Sequence, residues 1–234
     1  MTFAGIQKSS LIDYPGLVAC VLFVPGCDYD CFYCHNRPLL AGPRKVLDPD
    51  GIRAFLKKRA GLLDAVVISG GEPTLQPDLT ETAAEFSGMG YRVKLDTNGS
   101  HPEAVARMLE SGACSYFAVD YKAPTARYEE ICGPGAGCGA PAGAGKVRET
   151  VGLLLKSGVP FEVRTTVIPQ LSERDLLQMA SELPPVPRWT LNRYRAPEQY
   201  KPCDEDRVAA TPWTQAQIAA FARAMAAVQP NVRT

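Results

Sequence analysis

Three cysteines, Cys27, Cys31 and Cys34, lie within eight residues directly after an apolar segment. Cysteine thiolates are the usual ligands of iron-sulfur clusters. Structural zinc sites usually pair two separate Cys-x-x-Cys hooks, and the ferredoxin run places a fourth cysteine close behind the third. Neither pattern occurs here, because no fourth cysteine lies in the same loop. The spacing therefore favours a 4Fe-4S cluster with three protein ligands and one iron open to a further ligand.

Polar motifs also follow the next apolar segments along the chain. Residues 69–73, 96–99 and 120–122 each come where a predicted strand ends, and Arg164 lies within the strand after them. The carboxyl ends of parallel strands open on one face of a sheet. We therefore expect these motifs to converge with the cysteine loop.

The elements that must position these residues are predicted from hydrophobic period. Short apolar runs alternate with longer segments of helical period, which is typical of βα units around a parallel sheet. The predicted strands span 18–24, 64–69, 91–96, 115–120, 161–167 and 188–194. The predicted helices span 49–60, 77–89, 102–111, 146–157, 173–182 and 213–228. Six strands are too few for a closed eightfold barrel.

Helix starts and one loop are also predicted locally. Asp48, Ser172 and first-turn prolines mark the beginnings of several helices. The segment 132–145 is too rich in glycine to hold a helix or strand, and we expect a mobile loop there.

Length and composition limit the possible classes of protein. A chain of 234 residues with 46% hydrophobic content predicts one α/β domain over 1–234, with a core at about 15–195 and a C-terminal loop and helix at 196–234. Lys plus Arg equals Asp plus Glu at 25 each, so we expect no binding to nucleic acid or to an anionic membrane. No signal peptide and no stretch of eighteen apolar residues is found, which predicts a cytoplasmic protein.

The motifs together resemble the radical S-adenosylmethionine (SAM) superfamily. The resemblance rests on the spacing of the cysteines, on Tyr33 before the last of them, and on Gly-Gly-Glu-Pro at 70–73. The segments that further resemble the glycyl-radical-enzyme activases, and among them the anaerobic ribonucleoside-triphosphate reductase activating proteins, are 6–16, Gly26, His35-Asn36 and 96–99. This resemblance implies a partial (β/α)6 TIM-like barrel.

The resemblance also implies a reaction. In the family, the open iron binds the amino and carboxylate groups of SAM, and one electron from the reduced cluster cleaves SAM to methionine and a 5′-deoxyadenosyl radical. In an activase this radical abstracts hydrogen from a glycine Cα of a partner enzyme. Cys27, Cys31 and Cys34 would then be the catalytic cluster ligands.

SAM contacts follow from the same resemblance. Gly70 and Gly71 would let backbone groups approach the methionine moiety, and Glu72 would bind the ammonium group or hold its turn. The backbone beside Tyr33 would contact adenine. For the charged groups, Asp96 would accept from the ammonium group, while Lys122 or Arg164 would pair with the carboxylate. The full set of expected contacts is Tyr33, Gly70, Gly71, Glu72, Asp96, Asn98, Lys122 and Arg164.

Partners are implied in the same way. The substrate would be a glycyl radical enzyme, first anaerobic ribonucleotide reductase, with pyruvate formate-lyase or another such enzyme as the alternative. The reducing electron would come from a donor such as flavodoxin or ferredoxin. Asp96 and Asp120 would sit beside a monovalent cation. Pyruvate formate-lyase activating enzymes carry a histidine near the position of Asn192, and which residue takes its place here stays open.

Several alternatives remain at the level of sequence. The protein could be a radical SAM enzyme for a small molecule or peptide, or an iron-sulfur electron carrier, or a zinc-binding module. Asp96, Asp120, Lys122 and Arg164 could form plain ion pairs at a barrel rim. Cys20 and Cys114 are expected to be buried thiols. The cysteines predicted to lie in loops, where they could ligate a second cluster, are Cys132, Cys138 and Cys203.

Overall fold

The structure is a computed structural model that describes residues 1–40, 45–133 and 143–234. Its strands form one sheet in chain order, in which β1 is antiparallel to β2 and each later pair is parallel. The strands are β1 (Gly5–Ser10), β2 (Ala19–Val24), β3 (Ala65–Gly70), β4 (Arg92–Thr97), β5 (Tyr116–Asp120), β6 (Phe161–Val167), β7 (Trp189–Arg193) and β8 (Val232–Arg233). Within the described ranges β1 and β8 do not pair, so the barrel is partial and open.

Helices connect the parallel strands, as the alternation of patterns predicted. They are α1 (Arg37–Leu40), α2 (Pro49–Arg59), α3 (Leu79–Gly88), α4 (Pro102–Ser111), α5 (Tyr128–Cys132), α6 (Ala144–Ser157), α7 (Glu173–Glu182), α8 (Glu205–Val208) and α9 (Gln215–Met225). None of the helices in the described ranges is long and apolar enough to cross a membrane.

The two faces of the sheet bury different side chains. Val66 and Ile68 of β3 join the large core beneath the helices, whereas Ala65 and Val67 join a smaller cluster with Tyr14 on the concave face. A strand buried on both faces reads as a continuous apolar run, which is why β3 was readily predicted. Lys94 pairs in register with Val67 and therefore lies on the concave face. Lys94 is thus a charged residue beside the smaller apolar cluster.

Local signals at the helix starts are confirmed. The Asp48 carboxylate accepts hydrogen bonds from the amides of Asp50 and Gly51 at the start of α2. Ser172 and Asp175 form a reciprocal capping box at the start of α7. These caps fix the residues at which α2 and α7 begin.

The structure adds two strands and corrects one loop. β1 is an edge strand with exposed Gln7, Lys8 and Ser9, and its polar sequence gave no apolar run to detect. β8 has two residues and was also missed. Cys132 ends helix α5 and is fully buried, so its predicted place in a loop was wrong. The rest of the predicted Gly-rich loop, with Cys138, lies largely outside the described residues.

Candidate active site

A cavity of about 230 Å³ opens at the carboxyl ends of the strands. Cys27, Cys31 and Cys34 all line it, and it lies where the motifs after β3, β4 and β5 converge. The expected SAM contacts that also line it are Tyr33, Gly70, Gly71, Asp96, Asn98, Lys122 and Arg164. Glu72 is the expected contact that does not.

The cysteine loop follows β2 and is fixed by a short network around Asp30. Arg37 Nη1 lies 2.8 Å from Asp30 Oδ1, and Arg37 Nη2 donates to the Cys31 carbonyl at 2.7 Å. The amide of Asp30 donates to the carbonyl of Cys132 at 2.9 Å. The end of α5 therefore contacts and supports the cysteine loop. No local sequence pattern indicates this contact, because the two residues lie about a hundred positions apart.

The surroundings of the three thiols shift their pKa values in different directions. Burial raises the pKa of Cys27 and of Cys34 above the usual value for a thiol. A hydrogen bond with the Cys132 thiol lowers the pKa of Cys31, the middle cysteine. Binding of iron would therefore release protons from a buried loop, and cluster assembly is coupled to that release.

The donor set fits a cluster better than a single ion. In the described part of the chain, no three His, Cys, Asp or Glu side chains gather closely enough to bind one metal ion. Cluster ligands stand further apart, because each thiolate binds a different iron. Three cysteine side chains of one loop line one cavity, and thiolates are the ligands that such a cluster takes.

Gly70 and Gly71 are required by contact between two backbones. Gly70 has φ +116°, and a Cβ there would lie 2.4 Å from the amide nitrogen of Val24. A Cβ on Gly71 would lie 1.8 Å from the carbonyl oxygen of Gly26. The Gly71 amide instead donates to the Val24 carbonyl at 2.8 Å. The end of β3 thereby grips the start of the cysteine loop, while both glycines also face the cavity.

Glu72 is fully buried and joins two turns. Its carboxylate accepts hydrogen bonds from the Thr74 amide at 2.9 Å, from Thr97 Oγ1 at 2.8 Å and from the Asn98 amide at 2.7 Å. Burial raises the pKa of Glu72, and the hydrogen bonds from Thr74 and Asn98 offset part of that effect. Of the two roles expected for Glu72, its contacts are those of a residue that holds the turn.

Alternating charges cross the cavity from β4 to β6. Arg164 Nη1 lies 3.1 Å from Asp96 Oδ2, and Arg164 also lies 3.0 Å from Asp120 Oδ1. Lys122 Nζ lies 3.1 Å from Asp120 Oδ2, and Lys94 Nζ lies 2.9 Å from Asp96 Oδ1. We call Lys94, Asp96, Arg164, Asp120 and Lys122 the charge ladder. Such fixed, opposed charges suit a zwitterionic ligand.

Opposite charges keep Asp120 and Arg164 of the ladder ionised. Burial acts to raise the pKa of Asp120, but the charges of Arg164 and Lys122 outweigh burial and hold that pKa at about 2. The same carboxylate helps to raise the pKa of Arg164, which stays cationic. Asp96, Asp120, Lys122 and Arg164 therefore form ion pairs with one another and also line the cavity.

Asn98 reaches back to the cysteine loop. Its Nδ2 donates to Asp28 Oδ1 at 2.7 Å, directly beside Cys27. His101 Nε2 lies 3.4 Å from the other Asp28 oxygen. Burial acts to raise the pKa of Asp28, but the nearby polar groups of His101, Ser100 and Asn98 lower it overall. Asp28 was missed because one aspartate beside a cysteine has no distinguishing local signal.

Asn192 does not line the cavity. It lines a second cavity, of about 530 Å³, which Arg164 also borders. Thr166, its partner in register on β6, lines the first cavity and was not predicted. Of this register pair, Thr166 and not Asn192 lines the first cavity.

Comparison with known proteins decides the family. Residues 21–183 match the model of the Radical SAM superfamily. The chain belongs to the radical SAM superfamily. A relative in Methanocaldococcus jannaschii, named "Putative glycyl-radical enzyme activating enzyme", is 31% identical over 201 residues, which are 84% of this chain and 81% of the relative. The AdoMet-dependent heme synthase of Methanosarcina barkeri is 30% identical over 68% of this chain and 44% of its own.

Solved radical SAM structures share the fold. TYW1 with a lysine-pyruvate adduct superposes with a TM-score of 0.60 at 19% identity, covering 91% of this chain and 73% of that one. SuiB of Streptococcus suis bound to SAM gives a TM-score of 0.62 at 13% identity, covering 87% of this chain and 47% of that one. Membership of this superfamily makes the protein a radical SAM enzyme and implies a 4Fe-4S cluster and SAM as its cofactors.

Proposed function

We propose that this radical SAM enzyme is an activase that generates a glycyl radical on a partner enzyme, namely anaerobic ribonucleoside-triphosphate reductase. The observation that carries the proposal is the cavity itself, which is lined both by the three cysteine side chains and by four members of the charge ladder, Asp96, Arg164, Asp120 and Lys122. The similarity to the M. jannaschii relative, over most of both chains, supports the choice of a glycine as the site of attack.

The cysteine loop would hold the cluster through Cys27, Cys31 and Cys34. When bound, the cluster and SAM supply a 5′-deoxyadenosyl radical, which takes one hydrogen atom from the glycine Cα and leaves 5′-deoxyadenosine and a glycyl radical. No other redox group of this chain is needed, since the single electron comes from a donor such as flavodoxin or ferredoxin.

The remaining cavity residues would bind and orient SAM. Asp96 would accept from the ammonium group, and Arg164 or Lys122 would donate to the carboxylate. Gly70 and Gly71 leave backbone groups at the cavity surface for the methionine moiety, and the backbone at Tyr33 would contact adenine. Asn98 would hold the cysteine loop in place through Asp28. A monovalent cation beside Asp96 and Asp120 stays a prediction.

The open side of the partial barrel supports a protein substrate. The sheet leaves β1 and β8 apart across the described ranges, and a polypeptide loop could enter on that side. Activation of pyruvate formate-lyase or another glycyl radical enzyme would use the same chemistry and is the alternative partner.

A second candidate is a radical SAM reaction on a small molecule. The heme synthase relative favours it, although this chain matches less than half of that protein. Anaerobic reconstitution with iron and sulfide, followed by dithionite and SAM, should yield 5′-deoxyadenosine. The glycyl radical enzymes of the same organism should then be added one at a time, and electron paramagnetic resonance (EPR) should show a glycyl doublet with one of them. Cleavage of SAM without a doublet from any partner would favour the second candidate.

A further inference from the structure

The segment after β7 crosses the outside of the cysteine loop. We call residues 195–208 the strap. Its first contact is the carbonyl of Arg195, which lies 3.1 Å from His35 Nε2, one residue after Cys34. Lys201 forms an ion pair with Asp30, one residue before Cys31. The strap therefore contacts the loop on both sides of its last two cysteines.

Arg207 makes the central contact of the strap. Its guanidinium carbon lies 3.9 Å from the centre of the Phe32 ring, and Phe32 is only 2% exposed. Cation-π contacts reach about 6 Å, so this is a close stack. Phe32 follows Cys31 directly in the chain. A cation is thus fixed against the segment that joins two of the predicted cluster ligands.

Arg207 is itself held from three directions. Arg207 Nη2 donates to the carbonyl of Glu130 at 3.0 Å. The backbone carbonyl of Arg207 accepts a hydrogen bond from Gln170 Nε2 at 2.9 Å. Asp204 Oδ1 lies 3.5 Å from Arg207 Nη1. The hydroxyl of Tyr194 donates to the carbonyl of Val208 at 2.9 Å, which closes the strap back onto β7. The guanidinium therefore cannot move away from Phe32 without breaking its hydrogen bond to α5 and its contact with Asp204.

Two physical effects follow from this placement. A stacked guanidinium restrains the Phe32 ring and with it the backbone between Cys31 and Cys34. Reduction of a cluster adds negative charge, and the reduction potential depends on nearby charge. A cation on this side favours the reduced state. Among the described residues, the carboxylate that pairs with Arg207 is that of Asp204, whose Oδ1 lies 3.5 Å from Nη1.

We propose that Arg207 is a positioning residue for the cluster-binding loop, and that its charge raises the reduction potential of the bound cluster. The proposal rests on the cluster implied by the superfamily and not on the glycyl radical partner. It is therefore tested without any partner protein, and its failure would leave the proposed activase function untouched.

The experiment compares three variants of the full chain after anaerobic reconstitution. Arg207→Met removes the charge and keeps an unbranched side chain, Arg207→Lys keeps a cation, and Arg223→Met removes an exposed charge on α9 as the control. The midpoint potential of the cluster is measured by EPR-monitored titration, and the loss of iron to a chelator is timed anaerobically. We expect a more negative midpoint and several-fold faster iron loss in Arg207→Met only.

A midpoint in Arg207→Met equal to that of wild type overturns the proposal, whatever the rate of iron loss. If Arg207→Met assembles no cluster, Arg207→Lys decides. A cluster with the wild-type midpoint in Arg207→Lys supports the proposal, and no cluster overturns it. A shift in Arg223→Met as large as that in Arg207→Met would also overturn it, because the effect would then be one of net charge.

Discussion

The Arg164 guanidinium joins carboxylates from two neighbouring strands, Asp96 on β4 and Asp120 on β5. An arginine can hold such a position because it stays charged and offers several fixed donors. Lys122 adds a second cation on the far side of Asp120. Both cations therefore have N–H groups near the cavity, where a carboxylate of SAM would need them.

Asp120 should make stability depend on acid pH. Its folded pKa of about 2 lies below the usual value of 3.8, so its contribution to stability is present above the usual value and is lost as pH falls toward 2. Asp120→Asn should lose less free energy of unfolding than wild type between about pH 4 and pH 2. Denaturant unfolding at several pH values measures this difference. The exposed Asp206→Asn is the control, and equal slopes in wild type and Asp120→Asn would contradict the ion pairing.

Cys31 should be indispensable for the cluster. Cys31→Ala should lose the visible absorbance of the reconstituted cluster and all production of 5′-deoxyadenosine, because a cluster with three protein ligands would lose one of them. Cys203→Ser changes an exposed cysteine and should keep both. Loss of cluster iron in Cys203→Ser would instead favour a second cluster, and retained SAM cleavage in Cys31→Ala would remove the assignment.

At the level of elements, the end of β3 and the cysteine loop act as one unit. The Glu72 amide donates to the Gly26 carbonyl at 2.8 Å, and the Glu72 carboxylate holds the turn after β4. The sequence placed Gly70, Gly71 and Glu72 correctly at the end of a strand, since a run of buried apolar residues ends there. It did not show that these residues grip another backbone, because that contact joins segments about forty-five residues apart.

Gly71→Ala tests this grip. Its Cβ would overlap the Gly26 carbonyl, so the cysteine loop must shift and iron binding after reconstitution should fall severalfold or more. Gly88→Ala in α3 is a matched control, since a Cβ there meets nothing within 4 Å and alanine favours a helix by about 0.5–1 kcal/mol. Iron per chain and the free energy of unfolding are both measured. Normal iron binding in Gly71→Ala would contradict the role given to this turn.

At the level of the whole molecule, the sequence predicted the six parallel strands β2 to β7 and the face on which their motifs meet. Period and turn residues are local signals, and they sufficed for those elements. The support of the cysteine loop by Cys132 and Arg207 could not be predicted, because both contacts depend on how distant segments pack. Edge strand β1 was not predicted for another reason. It pairs on one side only, so its residues can be polar and form no apolar run.

The central claim is that hydrogen passes from a glycine of a partner enzyme to the 5′ carbon derived from SAM. The most direct measurement uses a partner made with glycine deuterated at Cα, mixed anaerobically with the reduced, reconstituted protein and SAM. We expect 5′-deoxyadenosine that carries one deuterium by mass spectrometry, together with a glycyl radical by EPR. Undeuterated 5′-deoxyadenosine with every glycyl radical enzyme of the same organism would contradict the account.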